Sequence, residues 1–392
     1  MEFVIAYLAG GKLRVKAGQE PVRTIESQYG QTIRDRAVKA AQRHAWKAQG
    51  AGDKFLSGEM LWGRAVRDPG AVRVDITSIC GGRAGDQILY SLESDSLCGI
   101  LAVEGLGAEE RRLWNNHGQR LRYLSHHPAQ GHLACSLENR FGTANVAVIL
   151  EDGSGLREVT EGDSVDTAPR WIPGDGLRLV FQSAGVGRDR DGHFAALGPY
   201  AIQELDVENG RMTALAEDAE NDLLTPQKTE DGSLFYIRRP HRAPHHVSIT
   251  RFAKDVLLFP FRLLYAIVQY LNFFSAIYTG KKLTSVGGAR SKQQLDQMMI
   301  WGNLVHAAKA EQDGDAAPDL VPKSWQLVRV RPGGDPETLA KGVLAFDVAA
   351  DGSVIYSNGS AVYRLDANGR QERLFKDRLI EQVVVLKAAP SA

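Results

Sequence analysis

Three stretches of this 392-residue chain repeat one pattern, in which an extended run is followed by an Asp-Gly pair and an alternating apolar strand. They are DTAPRWIPGDGLRLVFQSAG (Asp166–Gly185), DLLTPQKTEDGSLFYIRRP (Asp222–Pro240) and VLAFDVAADGSVIYSNGSAVYRLDANGRQERL (Val343–Leu374). Asp-Gly between alternating strands is a strong hairpin signal, because glycine adopts a positive φ at little cost. The chain is therefore predicted to consist largely of β-hairpins.

Repeats of roughly 40 residues, each with four strands, are typical of the blades of a β-propeller. The C-terminal run LIEQVVVLK (Leu379–Lys387) supplies one strand, and FVIAYLAGGKLRVKAGQEPVRTIE (Phe3–Glu26) supplies three. One blade made from both ends removes free strand edges. We predict an all-β fold over residues 1–392, a single six-bladed β-propeller closed by N- and C-terminal strands in one blade, with helical insertions. A β-sandwich is the alternative.

The segment Pro169–Phe181 carries the motif P-x-W-x-P-x-D-G-x-x-x-x-F. It resembles the TolB/PD40 (WD40-like) repeat of bacterial β-propellers, although WIPGDG holds an extra glycine. The resemblance implies that a strand, a Pro/Asp-Gly turn and a second strand form the inner hairpin of a blade. It covers most of the chain as an architecture, while about three repeats carry the motif well.

Charge and cysteine content narrow the function classes. Lys+Arg and Asp+Glu balance at 47 each, so no global field attracts nucleic acid, and we predict no nucleic-acid partner. Cys80, Cys98 and Cys135 form no CxxC pair and lie in apolar strand-like runs, as expected for buried thiols in a reducing compartment. The N-terminus lacks the pattern of a secretory signal. We therefore expect a cytoplasmic protein.

A first insertion, residues 27–52, has the sequence SQYGQTIRDRAVKAAQRHAWKAQGAG, and its pattern predicts a basic helix. A basic helix often contacts an anionic surface or partner. The predicted basic surface consists of Arg34, Arg36, Lys39 and Arg43, against the single acid Asp35. The alternative is a solvated helix that packs through Ile33, Ala37, Ala41 and Trp46.

A second insertion, residues 242–323, interrupts the fourth blade and is predicted to be helical. It contains an apolar amphipathic helix at 256–279 and a second helix over Ser291–Gln312. About 20 apolar residues can cross a bilayer. A single crossing would, however, place the two halves of one blade on opposite sides of the membrane, and no second apolar segment exists for a return.

The apolar face of the helix at 256–279 is broad and rich in aromatic residues, which suits an interface. Three readings are open: the helix lies on a membrane surface, docks another protein or a second copy of this chain, or packs on its own propeller. The predicted contact residues are Phe259, Phe261, Leu264, Ile267, Leu271, Phe274 and Tyr278.

The sequence lacks strong catalytic signatures, since it has no G-x-S-x-G elbow, Walker A loop or G-x-G-x-x-G after a strand. His241, His245 and His246 match no zinc spacing, so no metal, cofactor or catalytic residue is predicted. The Gly- and Arg-rich stretch Gln182–His193 is interpreted as a contact loop on the propeller rim. We predict a non-catalytic scaffold that binds an unidentified protein partner. The apolar helix would tether it to a partner complex or to a membrane surface, which for a cytoplasmic chain is the inner face of the membrane. Alternatives are a propeller-type metal-dependent hydrolase or lyase and a homo-oligomer.

Overall fold

The computed structural model describes residues 3–45, 74–94, 97–105, 109–127, 129–139, 142–174, 176–241, 297–300, 303–306 and 319–386. The chain divides into two compact units, Met1–His241 with Lys309–Ala392, and Arg242–Ala308. The described part is mostly β, as the turn pattern predicts.

The first sheet of the larger unit combines both ends of the chain. Its strands are β1 (Val4–Ala9), β2 (Lys12–Ala17), β3 (Arg23–Ile25) and β27 (Ile380–Leu386), in the order β27-β1-β2-β3. Five of the six residues of β1 are buried, and Tyr7 is fully enclosed. Helix α1 (Gln28–Ala45) follows β3, and it begins at the start of the predicted insertion 27–52.

The next sheet runs in chain order, with β4 (Val74–Gly81), β5 (Gln87–Ser94), β6 (Leu97–Glu104) and β7 (Glu110–His117). Its Ile76, Tyr90 and Leu101 share one core with Leu8 and Leu13 of the first sheet. Burying an aliphatic or aromatic side chain of this kind contributes roughly 1.5–3 kcal/mol. The two sheets are therefore joined mainly by apolar packing.

A nine-stranded sheet contains two four-stranded runs. The first run is β8 (Arg120–His127), β9 (His132–Glu138), β10 (Ala144–Leu150) and β11 (Arg157–Glu158). The second is β12 (Ser164–Trp171), β13 (Arg178–Arg188), β15 (Ala201–Asp206) and β16 (Arg211–Ala216), with β14 (Phe194–Leu197) paired to the end of β13. A single parallel bridge between Ala144 and Val165 joins the two runs.

Two further four-stranded sheets complete the larger unit. One contains β17 (Asn221–Lys228), β18 (Leu234–Pro240), β21 (Gln326–Val330) and β22 (Glu337–Lys341). The other contains β23 (Ala345–Val348), β24 (Val354–Ser357), β25 (Ala361–Leu365) and β26 (Gln371–Lys376). Gly232 and Gly352 of the predicted Asp-Gly turns have φ values of 80° and 78°, as such turns require.

In the smaller unit the structure describes one antiparallel hairpin of β19 (Gln297–Ile300) and β20 (Asn303–His306). The predicted second helix over Ser291–Gln312 is therefore wrong across these residues. The predicted apolar helix at 256–279 and all seven of its contact residues lie outside the described residues.

Candidate functional site

The larger unit has a polar axis built from the first strand of each sheet. The first strands are β4, β8, β12, β17, β23 and β27. Side chains on these strands, or on the adjoining β13, accept hydrogen bonds from backbone N–H groups of the next sheet. These axial bonds are Leu124 N–Ser78 Oγ (2.7 Å), Trp171 N–Ser125 Oγ (3.1 Å), Thr225 N–Gln182 Oε1 (2.7 Å), Val348 N–Gln227 Oε1 (3.2 Å), Val385 N–Asp347 Oδ2 (2.8 Å) and Ile79 N–Gln382 Oε1 (3.1 Å).

The axial bonds depend on local backbone irregularities. Tyr123, Ala168 and Thr225 have positive φ within bulges of β8, β12 and β17, a conformation that costs a non-glycine residue about 1 kcal/mol or more. In β8 and β17 the N–H groups donated to the neighbouring sheet, from Leu124 and Thr225, lie within these bulges. The repeated strain is thus offset by hydrogen bonds between sheets.

One buried ion pair crosses the axis. Arg170 on β12 pairs with Asp347 on β23, so it skips the sheet of β17, and Asp347 Oδ2 also accepts Val385 N–H at 2.8 Å. Burial raises the pKa of Asp347, although Arg170 and the Val385 N–H oppose the shift. The pair therefore links two sheets that are not neighbours.

Where β27 and β4 begin, the axis carries a second acidic group. Glu381 accepts Gly10 N–H at 3.2 Å. Burial, together with the charge of Asp75, raises the pKa of Glu381 to about 7. A carboxyl group with a pKa near neutrality is a marker of functional or switchable sites.

Ser78 and Ser125 each accept a hydrogen bond from a residue 46 positions further along the chain. The bonds therefore join equivalent positions of successive sheets, as expected when the first strands run in the same direction. We call the side on which the first strands begin the upper face, and the side on which they end the lower face. Each connection between neighbouring strands lies on one of these two faces.

All the long connections that join strands of the larger unit begin and end at the upper face. They are the connection from Ile25 to Val74 with α1, the arm formed by Val186–Leu197 between β13 and β15, and the connection from Pro240 to Gln326. The lower face carries only connections of at most six residues between consecutive strands of a sheet. Long connections on a rigid scaffold are where binding residues concentrate, so the upper face is the candidate functional site.

Helix α1 is fixed to the sheet of β4–β7 by a carboxylate at its N-terminus. Glu110 on β7 accepts N–H from Gln28 at 2.6 Å and from Tyr29 at 3.2 Å, as well as hydroxyl protons from Ser27 and Tyr90. A carboxylate there satisfies free N–H groups and opposes the positive end of the helix dipole. The helix is thereby held rigidly at its first turn.

The predicted basic residues of α1 divide into two groups. Ile33 packs against the core between the first two sheets, as the alternative reading expects, and Arg34 donates to the Val74 carbonyl at 2.7 Å. Arg36 and Lys39 are exposed. The Arg43 side chain lies outside the described residues. The helix thus presents an exposed basic side while one turn packs on the propeller.

The arm contradicts the expected loop at Gln182–His193, because β13 continues to Arg188 and pairs with β14. Arg188 anchors the arm by donating from Nε to both Asp163 oxygens at 2.9 Å, and this contact lowers the pKa of Asp163. Phe194 near the tip is 52% exposed. The alternation in GVGRDRDGHFAAL is broken by charges, so periodicity alone hides the strand.

The turn of the arm brings Asp189, Asp191 and His193 together, with ligand-type atoms within 4.8 Å of one another. All three are exposed, and Asp189 Oδ1 already accepts N–H groups from Asp191 and His193. This geometry is that of an aspartate-stabilised turn.

The connection after Pro240 leaves the propeller beside a buried charged cluster. Asp222, whose side chain is 4% exposed, accepts from Arg239 Nε at 2.9 Å and lies 2.7 Å from His241 Nδ1. Arg239 also stacks 5.1 Å from the ring of Trp325, at the point where the chain returns. His241 is thus used in this anchor, while His245 and His246 lie outside the described residues.

No helix within the described residues is long and apolar enough to span a membrane. The sequence analysis missed the axial bonds, Glu110 and Glu381. Serine, glutamine and glutamate are common in strands, and only the recurrence of one spacing across repeats could have pointed to Ser78 and Ser125.

Known proteins resemble this chain in fold only. No family model matches it, and no curated protein does either. TolB from Acinetobacter baumannii matches with a TM-score of 0.52 at 11% identity. The match covers 98% of this chain and 66% of the TolB chain, so this chain spans just under two thirds of the length of that protein. The structure of a nidogen/laminin complex gives a TM-score of 0.49 at 8% identity, covering 98% of both chains. A protein assigned as TolB from Agrobacterium tumefaciens gives 0.43 at 13% identity, covering 78% and 84%. The fold is a TolB-like β-propeller, as the repeat motif predicts.

Proposed function

We propose that this chain is a six-bladed propeller that acts as a non-catalytic scaffold for protein–protein interaction, with the upper face as its docking surface. The observation that carries the proposal is the distribution of connections: α1, the arm and the long connection after Pro240 all leave from one face. A scaffold with short turns on the other side holds these elements in fixed positions.

The axial bonds support a closed ring of six blades. They link β4 to β8, β8 to β12, β13 to β17, β17 to β23, β23 to β27, and β27 back to β4. Counting the two runs of the nine-stranded sheet separately and leaving out the short β14, every described sheet of the larger unit has four strands. A ring of this kind leaves no free first strand for unwanted pairing.

The segment 256–279 is proposed as the tether to a membrane surface or a partner complex. Its sequence places aromatic side chains on a broad apolar face, and it belongs to the connection that leaves the upper face beside Asp222. The exposed Arg36 and Lys39 add a basic surface on the connection between β3 and β4, which also begins and ends at the upper face. An anionic membrane or an acidic protein surface would suit both features.

The experiment compares upper-face and lower-face variants of the full chain. One variant replaces 187–196 by Asn-Gly, which can join Val186 to Leu197 as a tight hairpin. The second lacks 256–278, the third carries Arg36→Glu and Lys39→Glu, and the control carries Glu208→Lys in an exposed lower-face turn. Cross-linked partners are quantified by mass spectrometry, and membrane binding by co-sedimentation with phosphatidylserine vesicles.

We expect the upper-face variants to lose specific partners or vesicle binding while the control keeps both. If each variant captured the same partners and bound vesicles as the parent chain does, the upper face would not be a docking surface. The loss of binding in the Glu208→Lys control alone would place the docking surface on the lower face.

A further inference from the structure

Three Asn-Gly pairs occur in this chain, and each lies in a turn between consecutive strands. They are Asn209-Gly210 between β15 and β16, Asn358-Gly359 between β24 and β25, and Asn368-Gly369 between β25 and β26. A glycine has no Cβ to shield its backbone nitrogen from the side chain of the preceding asparagine. The three pairs share this local chemistry, so their surroundings in the fold decide whether it is used.

The side chain of Asn358 is buried and holds its own turn together. The residue is 2% exposed. Its Oδ1 accepts the Ala361 N–H at 2.8 Å, and its Nδ2 donates to Asp319 at 2.8 Å. The N–H of Gly359 donates to the Ser357 hydroxyl at 2.8 Å. Both reactive groups of this pair are therefore occupied by hydrogen bonds inside the protein.

The other two pairs lie in exposed turns of the lower face. Asn209 donates its backbone N–H to Asp206 Oδ1 at 3.1 Å and its side-chain Nδ2 to Oδ2 at 2.7 Å. Asn368 donates its backbone N–H to Asp366 Oδ1 at 2.9 Å, and the Gly369 N–H donates to the Asp366 carbonyl at 3.0 Å. Water competes for exposed hydrogen bonds of this kind, so both turns open readily.

We propose that Asn209 and Asn368 are sites of spontaneous deamidation and that the fold protects Asn358. In this reaction the deprotonated backbone nitrogen of the following glycine bonds to the asparagine Cγ, the bond from Cγ to Nδ2 breaks, and ammonia leaves with a proton from water. Water then adds to one carbonyl carbon of the five-membered succinimide and opens the ring to aspartate or isoaspartate. The net reaction consumes one water, releases one ammonia and adds one negative charge to the turn.

The two exposed sites differ in what the new charge meets. At Asn209 the Nδ2 donor faces the Asp206 carboxylate, and the aspartate product places a second carboxylate there. Like charges at this contact repel each other, so the turn between β15 and β16 loses a bond and loosens. Among the described residues, Asn368 bonds to Asp366 only through its backbone N–H, which the aspartate product keeps.

The test follows deamidation of the full chain at mildly alkaline pH, both folded and in concentrated urea. Peptides are prepared at acidic pH, which limits reaction during handling, and mass spectrometry detects the replacement of NH by O. In the folded protein, Asn209 and Asn368 should convert at least roughly tenfold faster than Asn358, because Asn358 reacts only after a buried turn opens. In urea the three should convert at similar rates, since the fold no longer separates them.

Asn221 is the matched internal control. It bonds to Asp218 through its backbone N–H at 3.1 Å and its Nδ2 at 2.9 Å, as Asn209 bonds to Asp206, but the next residue is Asp222 in β17. The side chain and the strand position of Asp222 hinder attack by its nitrogen, so Asn221 should remain unmodified. Asn209→Gln should also remain unmodified at that position, because its longer side chain does not close a five-membered ring.

Hydrogen exchange tests the consequence at Asp206. Asn209→Asp should raise exchange in the β15–β16 turn about threefold or more, while Asn368→Asp should leave its own turn unchanged. An unchanged β15–β16 turn would refute the predicted repulsion.

Three results would overturn the assignment of the sites. The first is a folded chain in which neither Asn209 nor Asn368 converts. The second is a folded chain in which Asn358 converts as fast as these two. The third is an Asn358 that stays unmodified in urea, because its protection would then not come from the fold. None of these measurements depends on the scaffold function.

Discussion

The upper and lower faces of the propeller are built from the same strands but differ in how the strands are connected. On the lower face the turns are short, and the turn at Gly153 packs tightly against the neighbouring sheet; a Cβ on Gly153 would lie 1.9 Å from the Leu113 carbonyl oxygen. On the upper face, the connections extend into α1, the arm and the segment after Pro240. Gly192 at the tip of the arm has open space around it.

The difference shows which part of the molecule is free to vary. Lengthening a connection costs little closure entropy, about 0.6 kcal/mol for each doubling, so length alone does not confine long connections to one face. Two of the upper-face connections share an anchor at their base: Arg188 pairs with Asp163 beneath the arm, and Arg239 pairs with Asp222 where the connection after Pro240 begins.

The largest effect should come from breaking the anchor of the connection after Pro240. Asp222→Ala leaves Arg239 buried without its carboxylate partner, which typically costs about 3–5 kcal/mol. Denaturation with guanidinium chloride measures the loss of unfolding free energy. Asp163→Ala removes the acid that pairs with Arg188 of the arm; Asp163 is 59% exposed, so its loss should leave the denaturation midpoint nearly unchanged. Equal losses in both variants would show that burial does not distinguish the two anchors.

The next effect compares one glycine from each face. Gly153→Ala must accept both a positive φ of 87° and a clash with Leu113, so we expect a loss of about 3 kcal/mol. Gly192→Ala has a φ of 81° and no clash, so the loss should be about 1 kcal/mol. Thermal and urea unfolding of both variants provide the measurement. A Gly192→Ala variant as unstable as Gly153→Ala would remove the proposed difference in crowding.

A smaller effect is expected when the arm is removed. Replacing 187–196 by Asn-Gly keeps the pairing of Val186 with Leu197 and deletes exposed residues for the most part. The unfolding free energy should change by less than about 1 kcal/mol, because a shorter loop offsets the lost Arg188–Asp163 pair. Calorimetry of the purified variant checks this. A loss above about 2 kcal/mol would make the arm a structural element of the propeller.

The smallest effect concerns His126 near the lower face. Its side chain is 1% exposed and its Nε2 lies 3.7 Å from Glu151, and burial lowers its pKa although Glu151 opposes the shift. Since the unfolded chain binds the proton more tightly, the stability is full above about pH 6.5 and falls as the pH drops below it.

Urea unfolding at about pH 7.5 and about pH 5.5 should show a decrease in stability of about 1 kcal/mol that His126→Gln reduces. His117→Gln, at an exposed position on β7, is the control and should keep the full decrease. An identical decrease in all three proteins would show that His126 does not titrate as proposed.

Particular residues show how far sequence patterns reach. Asp231-Gly232 and Asp351-Gly352 identify lower-face turns because the Gly conformation is a local requirement. The strands at 297–300 and 303–306 were misassigned to a helix, because short apolar runs fit both the helical and the strand period. The arm was interpreted as a loop because its charges obscure the alternation of β13.

The sequence by itself determined the repeated hairpins, the use of both chain ends in one sheet and the resemblance to TolB-like propellers. These features follow from turn chemistry and strand periodicity, which act over a few residues. Only the tertiary structure decided that Ser78 meets Leu124, that Asp347 meets Arg170, that Gln382 meets Ile79, and that every long connection leaves from one face. Such contacts depend on how sheets stack, and polar residues of ordinary types carry no local signal of the partner that the fold brings to them.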